Sequence, residues 1–163
     1  MLPPADLVAC IDPQIRIPVA VADPAAEITV EALCNSELHG HAVISSSIDP
    51  RRHGRPYRYI YFICIVGPRP SNTLTGVCRM DVTDGSVVTF DDLPNIPLGM
   101  PVFVPRPGAA ADDESDGVVL LDYFGADGKA LVIVLDGKSF KEVARVTVPH
   151  RECMSLHNTW MWD

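Results

Sequence analysis

A basic surplus is missing from this chain. Its 163 residues carry 13 Lys and Arg against 21 Asp and Glu, a formal net charge of −8 at pH 7. A surface that follows nucleic-acid phosphates needs cationic side chains in excess, so nucleic-acid binding is excluded as a leading function. Long hydrophobic runs are missing too. The longest, from Tyr59 to Val66, falls short of half the roughly 20 apolar residues that a membrane-spanning helix requires. The opening Met1-Leu2-Pro3-Pro4-Ala5-Asp6 has neither the basic n-region nor the apolar h-region of a secretory signal. Cysteine is sparse and scattered: Cys10, Cys34, Cys64, Cys78 and Cys153 show no C-x-x-C spacing. That argues against a disulfide scaffold or a zinc ribbon and for reduced thiols, the expectation being a soluble intracellular protein or a piece of one. No glycine-rich phosphate loop occurs, and Ser45-Ser46-Ser47 lies in no Gly-x-Ser-x-Gly elbow.

Helical periodicity is absent as well, and what remains is β-like. Hydrophobic residues make up 47% and charged residues 21%, a globular balance with enough chain for one domain. Pro3, Pro4, Pro13, Pro18 and Pro24 rule out a helix in residues 1–25, which read as an extended segment with an edge strand around Ile15–Val21. Strands are expected at Glu27–Leu33, Arg55–Val66, Thr75–Val82, Ser86–Phe90, Pro101–Pro105, Gly117–Phe124, Lys129–Leu135 and Phe140–Val148, by alternation, β-branched content and flanking turns. Thr83-Asp84-Gly85, Gly125-Ala126-Asp127-Gly128 and Asp136-Gly137-Lys138-Ser139 supply hairpin chemistry. Short strands joined by Gly/Asp turns suit a sandwich, a barrel or propeller blades. At roughly 40–50 residues per blade, this length gives about three to four blades, fewer than a closed ring usually contains.

Two groups of residues could carry chemistry. The acidic run Asp112-Asp113-Glu114-Ser115-Asp116 lacks the alternating ligands of a calcium loop and reads as a solvated acidic turn. Histidines stand at 39, 41, 53, 150 and 157. On a strand His39 and His41 would share a face, as two metal ligands can, but Leu38-His39-Gly40-His41 has the character of a turn. His53 belongs to the basic turn Pro50–Pro56, as a structural or merely exposed side chain. His157, among Met154, Leu156 and Trp160, reads on its own as a satisfied core histidine more often than as a ligand.

Four stretches, taken in order, alter that balance. They are Ile48-Asp49-Pro50-Arg51-Arg52-His53-Gly54-Arg55-Pro56-Tyr57-Arg58-Tyr59-Ile60-Tyr61, Pro101-Val102-Phe103-Val104-Pro105-Arg106-Pro107-Gly108-Ala109, Asp116-Gly117-Val118-Val119-Leu120, and Val134-Leu135-Asp136 through Phe140 to Glu142-Val143-Ala144-Arg145. With Val148-Pro149, His157 and Trp160, they resemble the C-terminal region of the carotenoid cleavage oxygenases, over roughly Ala26 to Trp160. Asn72-Thr73-Leu74-Thr75 is similar to the plant and algal branch that forms carlactone.

The resemblance implies an all-β fold of antiparallel sheets, a partial seven-bladed β-propeller. Residues 26–163 would be its last three to four blades, behind the proline-rich segment 1–25. It implies one Fe(2+) on the axis held by four histidines, where O2 is activated and a carbon–carbon double bond of a carotenoid or apocarotenoid is cleaved into two carbonyl products. His157 matches the last of these ligands. The other three belong to earlier blades, and His39 and His41 match none, so the isolated chain is expected to be inactive. Met100 stands where the family usually has Glu, Ile44 where it has an acid, and Asn158 where a Gly follows the ligand. Implied partners are the apolar polyene, O2, and the missing N-terminal blades or an oligomeric partner; peripheral membrane contact and a plastid location are compatible with the family. The competing expectation is a non-catalytic propeller remnant that binds an apolar ligand or a protein. Phe103, Phe124 and Trp160 would serve as apolar walls or as plain core.

Overall fold

Alternating side chains and Asp-capped turns dictate a meander, and the computed structural model contains two of them. It describes residues 8–9, 15–18, 31–32, 42–65, 74–92, 99–124, 129–148 and 159–161. The first meander comprises β4 (Ala42–Ile48), β5 (Tyr59–Ile65), β6 (Leu74–Asp81) and β7 (Val87–Phe90), hydrogen-bonded in that order. The second comprises β8 (Val102–Pro105), β9 (Gly117–Phe124), β10 (Ala130–Asp136) and β11 (Glu142–Thr147), again in chain order. All pairings within them are antiparallel. Ahead of them, β1 (Val8–Ala9), β2 (Ile15–Pro18) and β3 (Glu31–Ala32) form a small sheet of three. Four-stranded antiparallel meanders stacked face to face are propeller blades, and two complete blades are present among the described residues.

The strands expected from Arg55 onward appear with shifts at their ends; those expected at Ile15–Val21 and Glu27–Leu33 are described only at 15–18 and 31–32, and β1 and β4 were not expected. No strand was expected at 42–48, because Ser45–Ser47 gives that segment no apolar alternation. It forms because β5 offers a partner edge along its full length, with Ala42 opposite Ile65 and Ile48 opposite Ile60. The hairpin expected at 125–128 and the pair His39 and His41 lie outside the described residues, as does most of segment 1–25.

Two turns share one device. Asp81 accepts from the Thr83 amide at 2.9 Å and its hydroxyl at 2.6 Å; Asp136 accepts from the Ser139 amide at 2.7 Å and its hydroxyl at 2.8 Å. Each carboxylate thereby satisfies turn donors that the ladder cannot reach. After the second turn Phe140 adopts φ +56°, unusual for an aromatic residue. Its ring is buried in the core.

The period of two sends alternate residues of each sheet to opposite faces. Tyr61, Ile63 and Val77 of the first blade meet Phe103, Val119, Leu121, Tyr123, Ile133 and Leu135 of the second, with Phe140 closing one side. Each large side chain taken fully out of water there contributes roughly 1.5–3 kcal/mol. Tyr61 stacks on Phe103 at 5.4 Å and 4°, and on Phe140 at 6.3 Å. Arg79 seals the seam: its guanidinium lies 4.8 Å from the Tyr59 ring and 5.6 Å from Phe140. It also donates to the Gly137 carbonyl and, at 3.1 Å, to that of Lys138. At Gly117 and Gly137 a Cβ would collide with backbone of the same blade, with Val104 O and Ser115 O respectively.

The acidic segment departs from the expected solvated turn. Asp112 is exposed, but Glu114 is buried. Its carboxylate accepts from the Arg58 amide at 2.8 Å and faces Arg52 Nε at 3.3 Å, an ion pair without a hydrogen bond. Two arginines of the first blade thus fix this loop of the second, and burial is tolerated because the charge is paired.

Two outcomes follow from the seam. Arg79→Met should lower stability by about 1–3 kcal/mol, the loss of two cation–π contacts and two carbonyl hydrogen bonds; an unchanged urea midpoint would contradict the assigned role. Asp113 is held down from the usual 3.8 to about 2 by the Ser115 hydroxyl, by Lys138 and by the Ser115 amide. A depressed carboxyl stabilises fully above its unfolded value and loses that contribution as pH falls through the folded one. Stability should therefore decline between about pH 4 and pH 2, and Asp113→Asn should flatten that slope in acid titrations followed by fluorescence.

Candidate functional site

The innermost strands of the two blades, β4 and β8, lie beside each other. The Ser47 hydroxyl donates to the carbonyl of Pro101, and further along Pro50 and Arg51 line one groove with Pro105 through Ala109. Both contacts run in the same sense, so β4 and β8 advance in the same direction along the blade edge. Met100, just before Pro101, comes level with Ser45 and Ser46.

There β4 is irregular. Ile44 pairs with Ile63 while Ser47 pairs with Tyr61, so β4 carries one extra residue. Ser45 absorbs it at φ +54°. A bulge of this kind bends a strand and re-aims its side chains, and bulges recur at barrel rims and beside active sites. Here it leaves Ser46 exposed and turns the Ser47 hydroxyl towards the neighbouring blade.

At the far end of the inner strands, Asp49 is buried and accepts from Arg51 through both carboxylate oxygens, Oδ1 at 3.1 Å from Nε and Oδ2 at 2.7 Å from Nη2. Arg51 reaches on to the carbonyls of Ala109, Ala110 and Asp113, at 3.4, 3.3 and 3.1 Å. Its guanidinium is raised above its ordinary value, chiefly by the Asp49 hydrogen bond. The groove beside it has a volume of about 390 Å3. Because Arg51 is committed to these partners, this end is a clamp between blades.

A second groove, of about 340 Å3, runs over the outer face of the second blade between Val102, Leu120, Leu121, Asp122, Val132, Thr159 and Trp160. The chain therefore returns after β11 to lie against the start of β8. His157 precedes Thr159 by two residues and falls outside the described residues, together with His150 and Asn158. Trp160 is 45% exposed and forms a groove wall. Phe103 is core, and Phe124 ends β9. His53, the one histidine among the described residues, is exposed at the end of a 3-10 turn over Pro50–Arg52. Met100 is half-buried. Ile44 enters the ladder immediately before the bulge.

Among the described residues no group of three or more His, Cys, Asp and Glu side chains is placed to hold a metal ion. By themselves they do not fit a four-histidine iron centre, and no chemical step is routed through one. Also among the described residues, no helix is long and apolar enough to cross a membrane. The seam residues Ser47, Asp49 and Arg79 escaped the sequence reading. Asp49 alone had a legible signal, the Asp-Pro start of a turn.

Comparison with known proteins is consistent across sequence and fold. Residues 14–162 match the family described as retinal pigment epithelial membrane protein. Carotenoid cleavage dioxygenase 8 of Arabidopsis thaliana, a chloroplastic protein, is 36% identical over 132 residues, covering 81% of this chain and 22% of that protein. The apocarotenoid-15,15'-oxygenase of Synechocystis is 29% identical over 141 residues, covering 85% of this chain and 28% of that protein. The crystal structure of cobalt-substituted Synechocystis apocarotenoid oxygenase superposes with a TM-score of 0.76 at 24% identity, over 91% of this chain and 30% of that one. The chain thus spans about a quarter of the length of these curated relatives.

Replacing Ser47 by Ala should cost about 1 kcal/mol, the net worth of one hydrogen bond between the inner strands. Ser46→Ala, one residue away and exposed, should leave the denaturation midpoint unmoved. Equal effects from the two would remove the latch from the description.

Proposed function

Because the chain belongs to the retinal pigment epithelial membrane protein family, that of the carotenoid cleavage oxygenases, we propose that it is the C-terminal part of a non-haem Fe(2+)-dependent dioxygenase cleaving a carotenoid or apocarotenoid with O2. One observation carries the reading: a single family match runs from residue 14 to residue 162, through both blades and through His157. In this function His157 contributes one imidazole to an iron whose remaining histidines lie on other blades. When bound, that iron supplies the activation of O2. The residues of this chain hold two inner strands at the axis through the Ser47–Pro101 latch and present a largely apolar groove beside Thr159 and Trp160. The substrate is an apolar polyene, and the partner is the set of blades that completes the ring. A plastid location fits the chloroplastic relatives.

A second reading has its own support. Met100 occupies a position where the family places a carboxylate that orients a ligand imidazole, and a thioether accepts no strong hydrogen bond from an imidazole N–H. A remnant that binds an apolar ligand or a protein without catalysis would carry such a change.

Iron content separates the two. The chain alone, purified anaerobically, should retain far less than one Fe(2+), since one imidazole cannot hold the ion. Co-purified with a polypeptide carrying the remaining blades, it should reach one iron per complex, lost with His157→Ala, and release carbonyl products from an apocarotenal. A folded complex without iron, or one whose iron survives His157→Ala, would overturn the assignment in favour of the remnant.

A further inference from the structure

The outward face of the first blade brings two thiols together. Cys64 on β5 pairs with Gly76, and Cys78 on β6 pairs with Phe62, so the two cysteines take diagonal positions on one face. Both are fully buried in the cluster formed with Ile60, Phe62 and Met80. Neither is in a disulfide, and their side chains are hydrogen-bonded to each other. Diagonal Cα atoms of neighbouring strands stand about 7–8 Å apart. A disulfide cannot close beyond about 7 Å without moving the backbone. A soft cation shared by two sulfurs, by contrast, needs no S–S bond, and at about 2.3 Å per metal–thiolate bond, the zinc value, it spans up to roughly 4.6 Å between them.

The surroundings agree. Met80 follows Cys78 by two residues on the same strand face and adds a thioether to the cluster. Thioether and thiolate sulfurs together select soft ions of the Cu(I) type over hard ones. Thr89 lies opposite Cys78 on the outermost strand β7, its residue exposed and its hydroxyl 3.3 Å from Cys78 Sγ. One exposed side chain therefore separates the thiol from solvent. Gly76 admits this arrangement, because a Cβ there would meet the Thr89 methyl group at 2.8 Å.

We infer that Cys64 and Cys78 form a binding site for one soft monovalent cation of the Cu(I) class, bridged between their sulfurs. Binding exchanges both thiol protons, released to solvent, for one ion. The Thr89 hydroxyl then donates to the Cys78 thiolate and offsets the remaining negative charge. No electron changes hands, and the site is separate from the axis where His157 is proposed to act.

The test uses the full chain with Cys10, Cys34 and Cys153 changed to Ser, titrated anaerobically with Cu(I) against bicinchoninate. One copper per chain is expected. Adding Cys64→Ala or Cys78→Ala should weaken uptake by about 100-fold or more, and Thr89→Val by about 10-fold. X-ray absorption of the copper-loaded triple variant gives a reading independent of those core substitutions, with a sulfur shell expected. Absent uptake by the triple variant, undiminished affinity in a cooperatively folded Cys64→Ala or Cys78→Ala protein, or a nitrogen and oxygen shell would each overturn the site.

Discussion

A β-sheet that is apolar on both faces has to be covered on both, and this constraint organises the molecule. In the first blade, Tyr61, Ile63 and Val77 face one way while Phe62, Cys64 and Cys78 face the other, and all are buried. In the second, Val119, Leu121, Ile133 and Leu135 enter the seam. Their neighbours Val102, Val104, Val118, Leu120, Val132 and Val134 form an aliphatic outer face that is half-buried. That face continues onto β11 through Val146, which is 52% exposed. Stacking blade on blade is the arrangement that satisfies such sheets, since each blade covers its neighbour.

Face-to-face stacking leaves a polar problem, because blades share no ladder and loop carbonyls at the seam have no strand partner. Side chains of the first blade solve it. Ser47 serves Pro101, Arg79 serves Gly137 and Lys138, and Arg51 serves Ala109, Ala110 and Asp113. Each is a side chain reaching across the interface to a main-chain oxygen, which satisfies the backbone and fixes the relative position of the blades in one step. Two of the three are arginines, whose forked donors can serve several carbonyls at once.

These clamps give the inner strands their functional meaning. A centre built from residues of several blades works only if the inner strands keep their spacing, because ligand geometry is then set by the seams. The Ser45 bulge and Met100 come level on adjacent inner strands. In the family reading, that is where carboxylates would orient imidazoles. Thr159 and Trp160 line a groove with Val102 of β8, Leu120 of β9 and Val132 of β10.

Strand positions were legible because alternation is a local property. Gly117–Phe124 coincides with β9, and the Asp136 and Asp84-Gly85 turns lie between the strands they were expected to join. The four family-like stretches likewise made the propeller legible. β4 was not, since its Ser45–Ser47 run carries no alternation and its pairing comes from β5. Glu114 looked like one more solvated acid, yet it is buried against Arg52 and Arg58, and Arg58 stands 56 residues away. Cys64 and Cys78, 14 positions apart in a chain of scattered cysteines, became a pair only through the β5–β6 register. Local patterning sets which backbone conformation a segment prefers. Which side chains meet depends on register and stacking, where the decisive contacts join residues tens of positions apart and no window of sequence contains both partners.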